Sequence, residues 1–319
     1  MKGIRYGLRM HGLRSAEGTI TMATLRRISD ALLDGCERSL RLSVEGASVK
    51  RGKTPAWLSR SLEFTIAGIS HGSTVLEIEA PTLAESAPEQ VRQRDLWYSL
   101  PDPEDTAISL LSKSVSDAAS ERLDSERFDR GVLSALLSFE PLLGKDLNEL
   151  EVVSQERGRD NFRIGRSEVE KISRLKAETP EARAIVVAGL FNLIEHKKRQ
   201  FRLDLEDGRG IPGKADQDLI TEDNMRGLWG KKVTIKGTAH FNPSGRIRFF
   251  EAHVVKPFVT GEEVFERIPE SQSPFGVVEG LKRRGEAKSP LREVWGQWPG
   301  DESIDEILKA LKETSVESA

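Results

Sequence analysis

The sequence predicts an α+β fold: a mixed N-terminal α+β domain, then a small β-barrel, then a flexible C-terminal tail with a short helix. Three observations carry this. Residues 1–178 mix strand-like and helix-like runs without a regular βαβ rhythm. Residues 183–258 hold at least four runs in which apolar and polar residues alternate, the period of half-buried strands. Beyond residue 259 apolar residues become too sparse to form a core. The expected organisation is therefore 1–178, 183–258 and 259–319.

Residues 3–13 partly alternate and predict a first strand. Met22, Leu25, Ile28, Leu32 and Leu33 recur at helical spacing, which predicts a helix over 23–37. Leu40, Leu42 and Val44 alternate and predict a second strand. Leu62, Phe64 and Ile66, then Leu76 and Ile78, predict a hairpin turned by Ser70-His71-Gly72-Ser73. Residues 81–103 read as a connecting segment. Helices are expected over 104–119, around Ile108, Leu111 and Val115, and over 127–140, around Phe128, Val132 and Leu136. A strand over 148–155 follows. Ser167 and Glu170 have the spacing of a capping box and start a helix that ends at Thr179-Pro180.

The barrel begins with strands over 185–195 and 201–208. A polar segment, 211–228, bridges to the next strand. Over 231–241, Val233, Ile235, Gly237, Ala239 and Phe241 face one way, and Lys232, Thr234, Lys236, Thr238 and His240 the other. Asn242-Pro243-Ser244-Gly245 is a tight turn, and 246–255 is the return strand. This order resembles an OB-fold or an SH3-like barrel. Glycines inside its strands, Gly189 and Gly237, suit the sharp bends of a small barrel.

Charge is distributed unevenly. The chain's net charge is −3, too small for a global attraction to nucleic acid or membrane. Between Arg183 and Phe258, however, 14 Lys and Arg face 9 Asp and Glu, a local excess of +5. Lys197, Lys198, Arg199, Lys232, Lys236, Arg246 and Arg248, with Phe241, Phe249 and Phe250 nearby, are the candidates for binding nucleic acid. Small barrels hold single strands with a cationic groove and stacking aromatics.

No catalytic residue is assigned. Gly68-Ile69-Ser70-His71-Gly72 matches the nucleophile-elbow pattern, but that elbow needs a helix after its serine, and TVLEIEA reads as a strand. An enzyme with an unfamiliar carboxylate site is the third reading, behind two binding roles. The five histidines show no metal-binding spacing; His240 and His253, with Glu251, are the only ones expected to approach each other. No nucleotide-binding fingerprint occurs, so neither metal nor cofactor is expected. The single cysteine, Cys36, forbids an internal disulfide and suits a reducing, cytoplasmic setting. No secretory signal is expected in the first 14 residues, and no window approaches the roughly 18 apolar residues of a membrane span.

The tail supplies the leading functional expectation. Trp295 and Trp298 are favoured interface anchors. Ser303 and Glu306 cap a short helix whose Ile304, Ile307, Leu308 and Leu311 form one apolar stripe. The segment LREVWGQWPGDESIDEILKALKE resembles the toxin-wrapping tails of bacterial antitoxins paired with PIN-domain ribonucleases. That resemblance implies a protein partner, a co-encoded nuclease, with Asp301 and Glu302 occluding its cleft.

Overall fold

The computed structural model describes residues 3–15, 19–50, 52–70, 75–91, 101–156, 161–195, 200–215 and 227–267. The tail residues Trp295, Trp298, Asp301, Glu302, Ile304, Ile307, Leu308 and Leu311 lie outside them, as do Lys197, Lys198 and Arg199.

The first half is a two-layer α+β structure. Strand β1 (Ile4–His11) is the centre of an antiparallel sheet ordered β2-β3-β1-β4-β5, with β2 (Thr65–Ser70), β3 (Val75–Ala80), β4 (Glu149–Ser154) and β5 (Phe162–Gly165). Alternation sorts β1 onto two faces. Ile4, Tyr6, Leu8 and Met10 are buried, while Arg5 and Arg9 point to solvent and pair with Glu79 and Glu151 on the neighbouring strands, each at 3.3 Å. An antiparallel sheet wet on one side reads this way.

The buried face carries helices α1 (Met22–Glu45), α5 (Ala107–Ala119), α6 (Arg130–Leu136) and α7 (Arg166–Glu178), and the shorter α2 (Ala56–Ser61), α3 (Leu83–Ser86) and α4 (Pro88–Val91). Tyr6 reaches from β1 to the start of α5, where its hydroxyl shares a 2.8 Å buried hydrogen bond with Thr106 Oγ1. Thr106 also caps α5, accepting from Ser109 N–H at 3.1 Å, while Ser109 Oγ accepts from Thr106 N–H at 3.0 Å.

Several expectations need correction. Residues 40–44 are helix, not strand: α1 runs on to Glu45 and stops at Gly46, whose φ of 82° is left-handed. Leu40 and Leu42 both join the first-half core, Val44 packs against it, and Leu42 and Val44 also line a cleft shared with the barrel, so burial around the helix imitates alternation. Arg41 is held within the helix by Glu37 at 3.2 Å and Glu45 at 3.6 Å. The cap of α7 sits two residues earlier than Ser167: Glu168 accepts from Gly165 N–H at 3.0 Å. The expected helix over 127–140 is α6 followed by a 3-10 turn at Leu137–Leu142. Residues 83–91 hold two short helices where a connection was expected.

The second half is a closed barrel of five strands, β6 (Arg183–Glu195), β7 (Gln200–Asp204), β8 (Gly210–Ala215), β9 (Lys232–Phe241) and β10 (Ile247–Pro257), ordered β10-β8-β7-β6-β9 and closed by β9 on β10. All its pairs are antiparallel except β8 with β10. A three-stranded meander closed by a following hairpin is an OB-like Greek-key barrel. The strand β8 lies where a polar connector was expected. Of its residues, GIPGKA, only Ile211 has strong β-propensity; closeness selects the glycines instead. A Cβ on Gly213 would sit 2.4 Å from the Phe201 ring, and one on Gly237 would sit 2.0 Å from the Glu251 carbonyl oxygen.

The barrel has its own core, including Val187, Phe191, Phe201, Ile211, Val233, Ile235 and Phe250. Phe191 and Phe201 stack with centroids 5.1 Å apart. Each buried Phe contributes about 1.5–3 kcal/mol. Strand alternation turns the consecutive phenylalanines opposite ways: Phe250 enters the barrel core, and Phe249 packs outward against Gly46.

Candidate nucleic-acid interface

In OB-like barrels the second and third strands and their flanking loops carry oligonucleotides. Here those strands are β7 and β8. Phe201, Leu203, Ile211 and Gly213 fill the interior, and Arg202, Asp204, Pro212 and Lys214 look outward. The Arg202 guanidinium lies flat across Gly210, where a Cβ would meet its Nε at 2.1 Å. Arg202 Nε donates to Asp204 Oδ1 at 2.7 Å, and Asn192 Nδ2 donates to the other oxygen of Asp204 at 2.6 Å.

Trp229 completes this chain of contacts. Its Nε1–H donates to the Asn192 carbonyl at 2.5 Å, yet the residue is 66% exposed. Among the described residues it is the one exposed aromatic side chain. A ring held by its only polar atom, with its face left in water, is a preformed stacking platform. The sequence reading missed Trp229, which stands between the polar segment 211–228 and the strand over 231–241 and belongs to neither pattern. The signal was a tryptophan beside Lys231 and Lys232.

The structure separates the basic candidates. Lys232, at the start of β9, meets Glu266 and, at 3.3 Å, Glu206, and its ammonium lies 4.6 Å from the centre of the Phe258 ring. Glu266 chiefly holds its pKa above the ordinary lysine value. Lys236 is exposed in the middle of β9. Arg246 leaves the β9–β10 turn 3.8 Å from Asp124 of the first half. Arg248 is buried between the halves, donating to the Gly46 carbonyl and standing 3.8 Å from Asp129. Phe241 and Phe250 belong to the barrel core, and Phe249 is buried at the junction, so none offers a face for stacking.

Other sequence candidates resolve simply. Ser70 ends β2 and pairs with Val75 of β3, so a strand, not a helix, follows the elbow-like pattern. His71 and Gly72 lie outside the described residues. His240 Nε2 stands 3.6 Å from Glu251 Oε1, and this imidazole, above all, holds Glu251 below the usual carboxylate range against the effect of burial. His253 turns to Thr238 Oγ1 at 3.0 Å. Among the described residues no group of three His, Cys, Asp or Glu is placed to hold a metal ion. Cys36 is buried, which pushes its thiol far above its ordinary value and leaves it protonated. No described helix is long and apolar enough to cross a membrane.

No family model matches the chain, and no curated protein matches it. Among solved structures, the chain is similar to one in the complex of U. maydis replication protein A bound to single-stranded DNA. Identity is 12%, the match covers 34% of this chain and 80% of that one, and the TM-score is 0.18. A superposition this loose carries no functional inference; the OB-like description rests on strand order. Nothing in these comparisons supports the antitoxin resemblance of the tail.

Proposed function

We propose that this protein acts by binding, and that its barrel takes single-stranded nucleic acid across the outer face of β6, β7 and β8. One observation carries the reading: Trp229 is held with its ring exposed beside the strands that OB-like barrels use for oligonucleotides. A base stacks on the indole, and Arg202 and Lys214 take the adjoining phosphates. Sequence-tolerant binding follows, because every base has a stacking face.

The test is fluorescence anisotropy with labelled single-stranded DNA and RNA at low salt. Trp229→Ala is expected to weaken binding by about 5- to 150-fold, the range of one stacked base. Trp229→Phe, which keeps a ring, is expected to recover most of the loss. Absence of binding by the full chain to either polymer overturns the proposal. So does a Trp229→Ala variant, folded by circular dichroism, that binds as tightly as the parent.

A further inference from the structure

We propose that the cleft where the end of α1, the helix α5 and the barrel meet is a small-molecule site for an uncharged, planar ligand with hydrogen-bonding edges, the size of a nucleoside. The cleft holds about 550 Å³, and its walls mix apolar and polar residues. Small-molecule sites fall in roughly the 300–1,000 Å³ range and combine apolar walls with a few convergent polar groups.

The charges around the cleft exclude ions. Lys113 is gripped by both oxygens of Asp105, at 2.7 and 2.9 Å. Asp117 accepts from Ser125 at 2.8 Å and faces Arg122 at 3.2 Å and Arg127 at 3.6 Å. Acids and bases thus neutralise one another around the rim. A phosphate entering here meets Asp105 and Asp117, and a cation meets the arginines. What remains is apolar surface, with Leu110 and Phe249 among its walls.

Among the uncharged side chains lining the cleft, one stands out. Gln200 lines the cleft, is only 7% exposed, and has a buried Oε1 with no hydrogen-bond partner among the described residues. Its backbone is fixed at the start of β7 by pairing with Lys214 in β8. Buried amide oxygens without partners are rare in folded proteins. A ligand N–H supplies the missing donor, and a planar amide presents both a donor and an acceptor to a nucleobase edge.

The site adjoins the strand-binding face at Pro212, but neither Trp229 nor Arg202 is among its walls. The experiment titrates the full chain with adenosine, guanosine, cytidine and uridine, each up to a roughly millimolar concentration, by isothermal calorimetry. At least one is expected to bind. Gln200→Met, which keeps the shape and removes the amide, is expected to weaken it at least tenfold. Ser43→Trp, which fills the cleft from a half-buried position on α1, is expected to abolish it. Trp229→Ala is expected to leave nucleoside binding unchanged, which separates this proposal from the preceding one. The proposal is overturned if no nucleoside binds, if Gln200→Met binds like the parent, or if the 5′-monophosphate binds tighter than its nucleoside.

Discussion

Arg248 of β10 and Asp129 at the start of α6 face each other at 3.8 Å with side chains 8% and 9% exposed, and together they join the barrel to the α+β half. Asp129 also accepts from Ser48 Oγ at 2.6 Å, Ser48 N–H at 3.1 Å and Val132 N–H at 2.9 Å. Removing one member of such a pair leaves a buried charge alone. Arg248→Met or Asp129→Ala is expected to cost about 3–5 kcal/mol, read as a lowered urea midpoint. The combined replacement Arg248→Met with Asp129→Leu is expected to cost less than the two single losses added together.

The same pair sets a pH dependence. Burial alone would raise the Asp129 pKa; the Arg248 charge and the Ser48 and Val132 hydrogen bonds outweigh it and hold the carboxyl below its ordinary value. A depressed carboxyl contributes stability above the unfolded pKa, near 4, and loses it as pH falls through the folded value. Urea midpoints at pH 6 and pH 3 are expected to show the parent's advantage over Asp129→Asn shrinking on acidification. An advantage independent of pH would contradict this.

Gly46 ends α1 with a φ of 82°, and a Cβ there would stand 2.4 Å from the Phe249 ring. Gly46→Ala is therefore strained twice, in backbone and in packing. A loss of about 1–3 kcal/mol is expected from the crowding alone, measurable by thermal unfolding. Gly208, at φ 81° with open space around it, is the control: Gly208→Ala carries the backbone strain without the clash.

Strand binding is expected to distinguish the basic residues by their place: Arg202, though paired with Asp204, lies on the outer face of β7, whereas Lys232 starts β9 against Glu206 and Glu266. Arg202→Ala lowers affinity and reduces the slope of log K against log salt, since about one phosphate contact contributes about 0.7 to that slope for a single strand. Lys232→Ala leaves affinity within about twofold, because Glu206 and Glu266 already occupy its ammonium. Anisotropy titrations at two salt concentrations check both.

The hairpin of β9 and β10 was legible because its alternation is strict and its turn is built from Asn242, Pro243 and Gly245, with Gly245 N–H closing on the Asn242 carbonyl at 3.0 Å. Strand β8 was not, because its residues are chosen by how closely Phe201 and Phe250 approach, a tertiary fact with no local pattern. Leu40, Leu42 and Val44 misled because a helix covered on two sides loses its single stripe. The candidate site divides similarly. Charge counting found the basic residues of the barrel but not their acidic neighbours, which come from Asp124, Asp129 and Glu266, far apart in sequence. Trp229 shows no periodicity at all; its role is visible only once its indole is seen on Asn192.

The central place of β1 also governs the order in which the chain can fold. Arg9 and its partner Glu151 are 142 residues apart, so one edge of β1 finds no neighbour until β4 has been synthesised. At ribosomal rates that interval is on the order of ten seconds. During it, Tyr6, Leu8 and Met10 have only the β2–β3 hairpin and the early helices for cover. The sheet of the first half is therefore completed only after β4 has been made, and until then residues 4–11 are its most exposed apolar strand edge.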